Sequence, residues 1–282
     1  MAPEILAERP CFGGVQGSYR VASQECATPM RFSVFQPPQA RTRRVPVVYF
    51  LAGLECTEET FMIKAGAQHV AAELGLMLVS PDTSPREARV PGDDESWDFG
   101  IGAGFYVDAS AAPWSAHYRM YSFVTKELPR VMGAHFPADV ERQAIMGHSM
   151  GGHGALVCAL RNPGVYRSVS AFAPIVAPSQ VPWGEKAFSK FLGADRAAWA
   201  SFDATALAKS SEFAGEILID QGLGDKFLRT QLQPEKFVAA CEGTRIAPRL
   251  REHEGYDHSY WFIQTFIADH LRCHAARLGT QR

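Results

Sequence analysis

Neither sign of charge dominates this chain: 28 lysines and arginines face 30 aspartates and glutamates, a formal net charge of −2. That balance excludes the broad basic field that nucleic acid or an anionic membrane attracts. The one basic cluster, Arg41-Thr-Arg-Arg44, reads as a solvated turn ahead of a strand. No run of about eighteen apolar residues occurs, so no segment reads as a membrane-spanning helix. Met1 to Pro10 contains Glu4 and Glu8 and no apolar stretch, so it does not read as a signal peptide. The six cysteines (Cys11, Cys26, Cys56, Cys158, Cys241 and Cys273) are scattered, with no Cys-x-x-Cys pair. They read as the reduced thiols of a cytoplasmic protein, not as a disulfide framework. Repeats and low-complexity linkers are also lacking, and residues 1–282 read as one domain.

What is present is a globular composition, 46% apolar and 21% charged. Gly17 to Gln24 and Met30 to Gln36 read as an antiparallel pair of strands. Val45 to Leu51 is a continuous apolar run, the pattern of a strand buried on both faces. Its Pro46 falls at the start, where the missing N–H is tolerated. Leu76 to Ser80, Ala144 to Met146, Ser168 to Ala173, Glu216 to Asp220 and, more weakly, Ala247 to Arg251 follow as strands. Helical patterns lie between them at Tyr118 to Phe136 (broken or kinked by Pro129), Gly152 to Leu160, Pro234 to Cys241 and Tyr260 to Leu271. Strands alternating with helices predict an α/β fold, a mostly parallel sheet with helices on both faces. Residues 174–213, rich in aromatics, are expected to form a helical excursion along one wall of the site.

The most informative stretch is Gly147-His-Ser-Met-Gly151, which sets Ser149 in a Gly-x-Ser-x-Gly frame between a strand and a helix. This is the nucleophile elbow of the α/β-hydrolase fold: a tight turn exposes the serine hydroxyl, and glycines keep the backbone clear around it. A serine hydroxyl needs a base, and the base needs an acid to hold its tautomer. In this fold the chain order is Ser, acid, His. His69, His117 and His135 precede the serine and fall out. His148 and His153 flank it, directed away from its Oγ by the turn. His270 and His274 belong to the last helix, where surface positions are expected, and His253 ends the last strand. His258, in the polar loop Gly255-Tyr-Asp-His-Ser-Tyr260, is the predicted base. Asp220, Asp225 and Asp257 compete as the acid. Asp225, in the loop just past its strand, is favoured. Asp220 is expected to fix the loop backbone instead, and Asp257 is too close in sequence to face His258.

Two backbone donors would form the oxyanion hole: the N–H of Met150, and that of Leu54 in the loop Leu51-Ala-Gly-Leu-Glu-Cys-Thr57. Cys56, Trp97, His148 and Trp183 are the candidates for a substrate pocket, with Phe105 and Tyr106 as further wall or core residues. Gly100-Ile-Gly-Ala-Gly104 lacks the spacing of a phosphate loop and reads as a flexible loop near the site. His253, Asp257 and His258 lack a further metal ligand at helical spacing, so no metal site is expected.

The chain also resembles the S-formylglutathione hydrolase (esterase D) family over most of its length. The resemblance is carried by Leu51 to Glu58, Pro81 to Arg86, Asp93 to Asp108, Gly147 to Ala155, Pro182 to Phe188 and Glu254 to Tyr260. The run from Trp97 to Asp108, joined to the elbow and the His258 loop, is far more specific than the elbow alone. The resemblance implies hydrolysis of S-formylglutathione to formate and glutathione, with activity on short-chain esters. It also implies no cofactor, a cytoplasmic location and a homodimer. It assigns the triad to Ser149, Asp225 and His258, and it implies a thiol, Cys56, near the site. A general short-chain carboxylesterase is the alternative. Two features depart from the family pattern. Glu55 replaces a threonine, and an acid at the mouth works against an anionic tripeptide. The loop Gly222-Leu-Gly224 before the predicted acid is unusually bare.

Overall fold

The computed structural model describes residues 2–280. Nine strands form a single sheet: β1 Glu4–Cys11, β2 Gly14–Ser23, β3 Thr28–Gln36, β4 Val45–Leu51, β5 Met77–Pro81, β6 Ala138–His148, β7 Tyr166–Phe172, β8 Gly215–Gly222 and β9 Ile246–His253. Ten α-helices accompany them among the described residues. They are α1 Glu58–Lys64, α2 Ala67–Leu74, α3 Met120–Ser122, α4 Leu128–His135, α5 Met150–Arg161, α6 Pro182–Phe191, α7 Arg196–Trp199, α8 Ala204–Leu207, α9 Pro234–Ala240 and α10 Tyr260–Leu278.

The strand order is β1-β2-β3-β5-β4-β6-β7-β8-β9. The first three strands and the β3–β5 pair are antiparallel. From β5 to β9 every neighbouring pair is parallel. This is the mostly parallel sheet of the α/β-hydrolase fold that the alternation predicted. Every residue of β4 is buried, as its unbroken apolar run required. The β1 strand escapes sequence reading because it pairs only with β2 and exposes nearly all its side chains. An edge strand of that kind has no buried face to impose a period of two. Met120 to His135 is one helical run, α3, a turn of π-helix at Phe123–Glu127 and α4 in succession, and Pro129 sits inside it just after the π turn. The irregular turn ahead of it is the interruption that its missing N–H imposes on a helix.

The C-terminal edge of the parallel strands collects the loops that matter. Leu51, His148, Gly222 and His253 end β4, β6, β8 and β9, and the loops after them hold Leu54, Ser149, Asp225 and His258. This edge is where open α/β sheets place their sites. Helix α5 is buried from Met150 to Leu160, and its small residues make that depth possible. A Cβ on Gly154 would lie 2.6 Å from the Tyr106 ring.

The C-terminal helix packs differently from expectation. His270 and His274 are fully buried rather than surface residues. Ser168, Ser170 and Phe172 alternate onto one face of β7, and α10 lies over it. The His270 ring stacks on Phe172 at 3.8 Å. Ser170 Oγ lies 2.8 Å from His270 Nδ1 and 2.9 Å from His274 Nε2, and His274 Nδ1 lies 2.8 Å from Ser168 Oγ. Two serines on the buried face of β7 thus recruit two histidines to the sheet. Amphipathicity alone could not reveal this, because the partner polar groups lie about a hundred residues away (|i−j| of 100, 104 and 106).

Candidate active site

Ser149 sits between β6 and α5 with φ 58° and ψ −119°. A non-glycine residue held there is strained, and the surroundings must over-determine it. They do: its N–H donates to Phe172 O at 2.9 Å, and its carbonyl accepts from His153 and Ile175 N–H at 3.0 and 3.2 Å. The glycines of the frame are required by close approach. A Cβ on Gly147 would lie 2.2 Å from Gly151 O, and one on Gly151 would lie 1.9 Å from Leu51 O. The ends of β4 and β6 and the start of α5 therefore meet at backbone distance, with the serine at their junction.

The structure brings His258 and Asp225 together, His258 Nδ1 lying 2.5 Å from Asp225 Oδ2. Asp225 is nearly buried, and its other oxygen accepts the Phe227 N–H at 2.8 Å. A carboxylate on Nδ1 fixes the proton there and leaves Nε2 as the accepting nitrogen. His258 and Ser149 line one cavity. The bare loop before Asp225 has a steric cause. A Cβ on Gly222 would lie 2.4 Å from Tyr256 O, and one on Gly224 would lie 3.1 Å from it. The Gly224 N–H donates to that same carbonyl at 2.9 Å. The glycines let the acid loop lie directly on the histidine loop.

The competing acids do other work. Contrary to expectation, the Asp220 side chain does not fix a loop backbone. It is fully buried and accepts from Arg251 Nε and Nη2, both at 2.6 Å, with His270 Nε2 3.3 Å away. Burial opposes its ionisation, but His270 and Arg251 outweigh burial and hold its pKa well below the usual carboxylate range. Asp257 turns to the Ser259 N–H at 3.0 Å, just ahead of α10.

The Leu54 loop runs against Ser149, since a Cβ on Gly53 would lie 3.2 Å from Ser149 Cβ. Its carbonyls are tied back: Ala52 O by the Tyr106 hydroxyl at 2.9 Å, Cys56 O by Thr83 Oγ1 at 2.6 Å and Arg86 Nη2 at 2.7 Å. The Glu55 N–H donates to Gly102 O at 2.9 Å, and the Cys56 N–H to Gly53 O at 3.3 Å. The Leu54 N–H has no such acceptor among the described residues. The Met150 N–H opens α5, where no preceding turn supplies a carbonyl. The Gly100 to Gly104 segment is therefore a brace for this loop, and Tyr106 and Phe105 are core residues rather than pocket walls.

The cavity holding Ser149 and His258 measures about 510 Å³. Cys56, Trp97, His148 and Trp183 all line it, together with Thr60, Lys64, Lys226, Phe227 and Tyr260, which sequence reading missed. Trp97 is half exposed and meets Trp183 edge to face at 5.7 Å. The His148 ring lies 4.5 Å from that of His258. Neither of its nitrogens has a hydrogen-bond partner among the described residues. Burial first, and the charge of His258 second, hold its pKa well below the ordinary histidine value, so it is neutral. Burial also raises the pKa of the Cys56 thiol, which keeps it protonated near neutral pH. A larger cavity of about 640 Å³ lies behind the Leu54 loop, lined by four arginines and four carboxylates but by none of the predicted catalytic groups. Among the described residues no group of three His, Cys, Asp or Glu side chains is placed to hold a metal ion, and no helix is long and apolar enough to cross a membrane.

Residues 23–273 match the family described as putative esterase. The chain is 54% identical to the S-formylglutathione hydrolase of Mus musculus, across 99% of this chain and 100% of that protein. It is 52% identical to the S-formylglutathione hydrolase of Paracoccus denitrificans, across 99% of each. A solved structure of an S-formylglutathione hydrolase from Agrobacterium tumefaciens superposes with a TM-score of 0.96 at 51% identity, over 99% of this chain and 100% of that one.

Proposed function

We infer the activity from membership: the chain belongs to the S-formylglutathione hydrolase family of esterases, and it hydrolyses S-formylglutathione to formate and glutathione. The observation that carries the reading is that Ser149 and His258 line one cavity, with Asp225 behind His258 on its Nδ1, inside a chain matched end to end by such hydrolases.

In this reading His258 Nε2 takes the Ser149 hydroxyl proton as Oγ attacks the formyl carbon. The carbonyl oxygen becomes an oxyanion between the Leu54 and Met150 N–H groups. Such donors contribute about 2.7–4 kcal/mol each to the transition state. The C–S bond then breaks, and glutathione leaves with the proton from His258. A thiol with a pKa of about 8.5 departs readily, so the first half needs little acid assistance. Water, deprotonated by His258, attacks the formyl ester, and formate leaves as Ser149 regains its proton. Asp225 holds the imidazole in the productive tautomer and stabilises its charged form. Cys56, Trp97, His148 and Trp183 enclose the acyl group. No cofactor enters any step.

The scattered free thiols support a reducing, cytoplasmic setting. The homodimer implied by the resemblance is supported by Ile63 and Trp261, whose side chains are 75% and 77% exposed. Light scattering of the purified protein tests it. Comparing kcat/KM for S-formylglutathione with that for acetyl and butyryl p-nitrophenyl esters tests the activity. The thioester is expected to be the better substrate, and higher values for the esters would favour a general carboxylesterase.

A further inference from the structure

Three charged side chains stand at the mouth of the catalytic cavity: Glu55, Lys64 and Lys226. Each is exposed, and each lies outside the ion pairs formed among the described residues. Some exposed charges elsewhere pair, as Arg196 with Glu185, and others such as Lys126 and Lys209 do not; what sets these three apart is that they share one cavity. The two lysines come from different segments, Lys64 from the end of α1 and Lys226 from the position after Asp225. Their ammonium groups lie 5.9 Å from the Tyr260 ring centroid and 4.9 Å from that of Phe227, two rings that line the same cavity. Two cations and one anion thus rim a cleft whose floor carries Ser149.

An S-acyl glutathione carries two carboxylates and one ammonium, the same pattern with the signs reversed. We propose that Lys64 and Lys226 bind the two carboxylates of the glutathione portion and that Glu55 binds its α-ammonium. The mouth is then the element that selects the thiol half of the substrate. The ammonium and one carboxylate share a carbon at the γ-glutamyl end, so Glu55 and one lysine act there and the other lysine acts at the glycine end. Glu55, which alone opposes an anionic tripeptide, becomes complementary once the two lysines stand beside it. Charge complementarity of this exposed kind sets selectivity and encounter rate more than tight binding. The inference rests on the hydrolase reading above.

The test compares S-formylglutathione with the S-formyl thioester of N-acetylcysteamine, which delivers the same acyl group on an uncharged thiol. Exposed ion pairs contribute up to about fivefold each. The preference of the wild-type enzyme for S-formylglutathione, as a ratio of kcat/KM values, is therefore expected to fall about tenfold in Lys64→Ala/Lys226→Ala. The loss should lie in KM, with kcat for S-formylglutathione little changed. Lys64→Arg/Lys226→Arg should restore the preference. In the wild type, added salt should raise KM for S-formylglutathione and not for the neutral thioester. Glu55→Gln should lower the preference a few-fold, and N-acetylation of the glutamyl amine should abolish that effect. The neutral thioester also reports whether each variant is folded. A preference unchanged by Lys64→Ala/Lys226→Ala overturns this inference alone. Failure of the wild type to hydrolyse S-formylglutathione overturns the activity itself, and this inference with it.

Discussion

His258 and Asp225 are 33 residues apart in sequence and 2.5 Å apart in space. The contact exists because Gly222 and Gly224 let the two loops meet at backbone distance. Asp225→Asn keeps the shape but presents an amide to Nδ1, which favours the wrong tautomer. We expect kcat to fall about 10⁴-fold with Tm nearly unchanged. Steady-state kinetics and calorimetry on the same preparation check both halves, and a loss below tenfold would remove Asp225 from the triad.

Gly151 approaches Leu51 too closely for any side chain, whereas Gly164 has φ 87° and open space around it. Gly151→Ala forces β4 or α5 to move, at a cost of about 3 kcal/mol, the upper end for overpacking. Gly164→Ala pays only left-handed backbone strain, about 1–2 kcal/mol. At about 2–4 °C per kcal/mol for a chain of this size class, calorimetry should separate the two. Only Gly151→Ala should also lose activity.

Between β7 and α10, burial holds the pKa of His274 down to about 3 and that of His270 below its ordinary value. Both are therefore neutral in the folded protein, while the unfolded chain titrates them near 6.5. Below that pH the unfolded state binds more protons, so stability falls as the pH drops from about 6.5 toward the folded pKa values. Each histidine contributes a slope of up to about 1.4 kcal/mol per pH unit in that window. Denaturant titrations at pH 7, 6 and 5 should show the decline. Ser170→Ala, which removes one hydrogen-bond partner from each ring and leaves His274 its bond to Ser168, should cost about 1–3 kcal/mol at pH 7.

Arg86 links a buried carboxylate to the Leu54 loop, reaching Asp82 at 2.8 Å and Cys56 O at 2.7 Å. Arg86→Ala leaves Asp82 buried without its partner, which should destabilise the fold by about 3 kcal/mol. It also removes one of the ties on the Leu54 loop, leaving those from Thr83 and Tyr106, so kcat should fall more than KM rises. Arg86→Lys restores the charge but not the fork that reaches both groups at once, and should recover stability better than kcat.

The legibility of this chain followed the range of its interactions. Local period and length located β4 and the strand–turn–helix at Ser149, because backbone crowding there demands glycine in the sequence itself. The parallel sheet followed from alternation. Chain order pointed to His258 and Asp225 before their contact was visible. What stayed hidden depends on distant partners. His270 and His274 looked like surface residues because Ser168 and Ser170 are on another element. Asp220 looked like a loop anchor because Arg251, its register partner on the neighbouring strand β9, is 31 residues away in sequence. Lys64 and Lys226 look like any solvated lysine in sequence, and only the fold sets them around one cavity. Phe105 and Tyr106 belong to a recognisable run, yet they support the site from the core rather than line it.

The central claim is that Ser149 carries the formyl group between glutathione and water. The most direct test is rapid-quench mass spectrometry of the protein mixed with S-formylglutathione, run beside Ser149→Ala. A formyl adduct on Ser149 that forms and decays in the wild type, with turnover reduced about 10⁴-fold or more in Ser149→Ala, is the expected result. Formate release by Ser149→Ala at the wild-type rate would contradict the account.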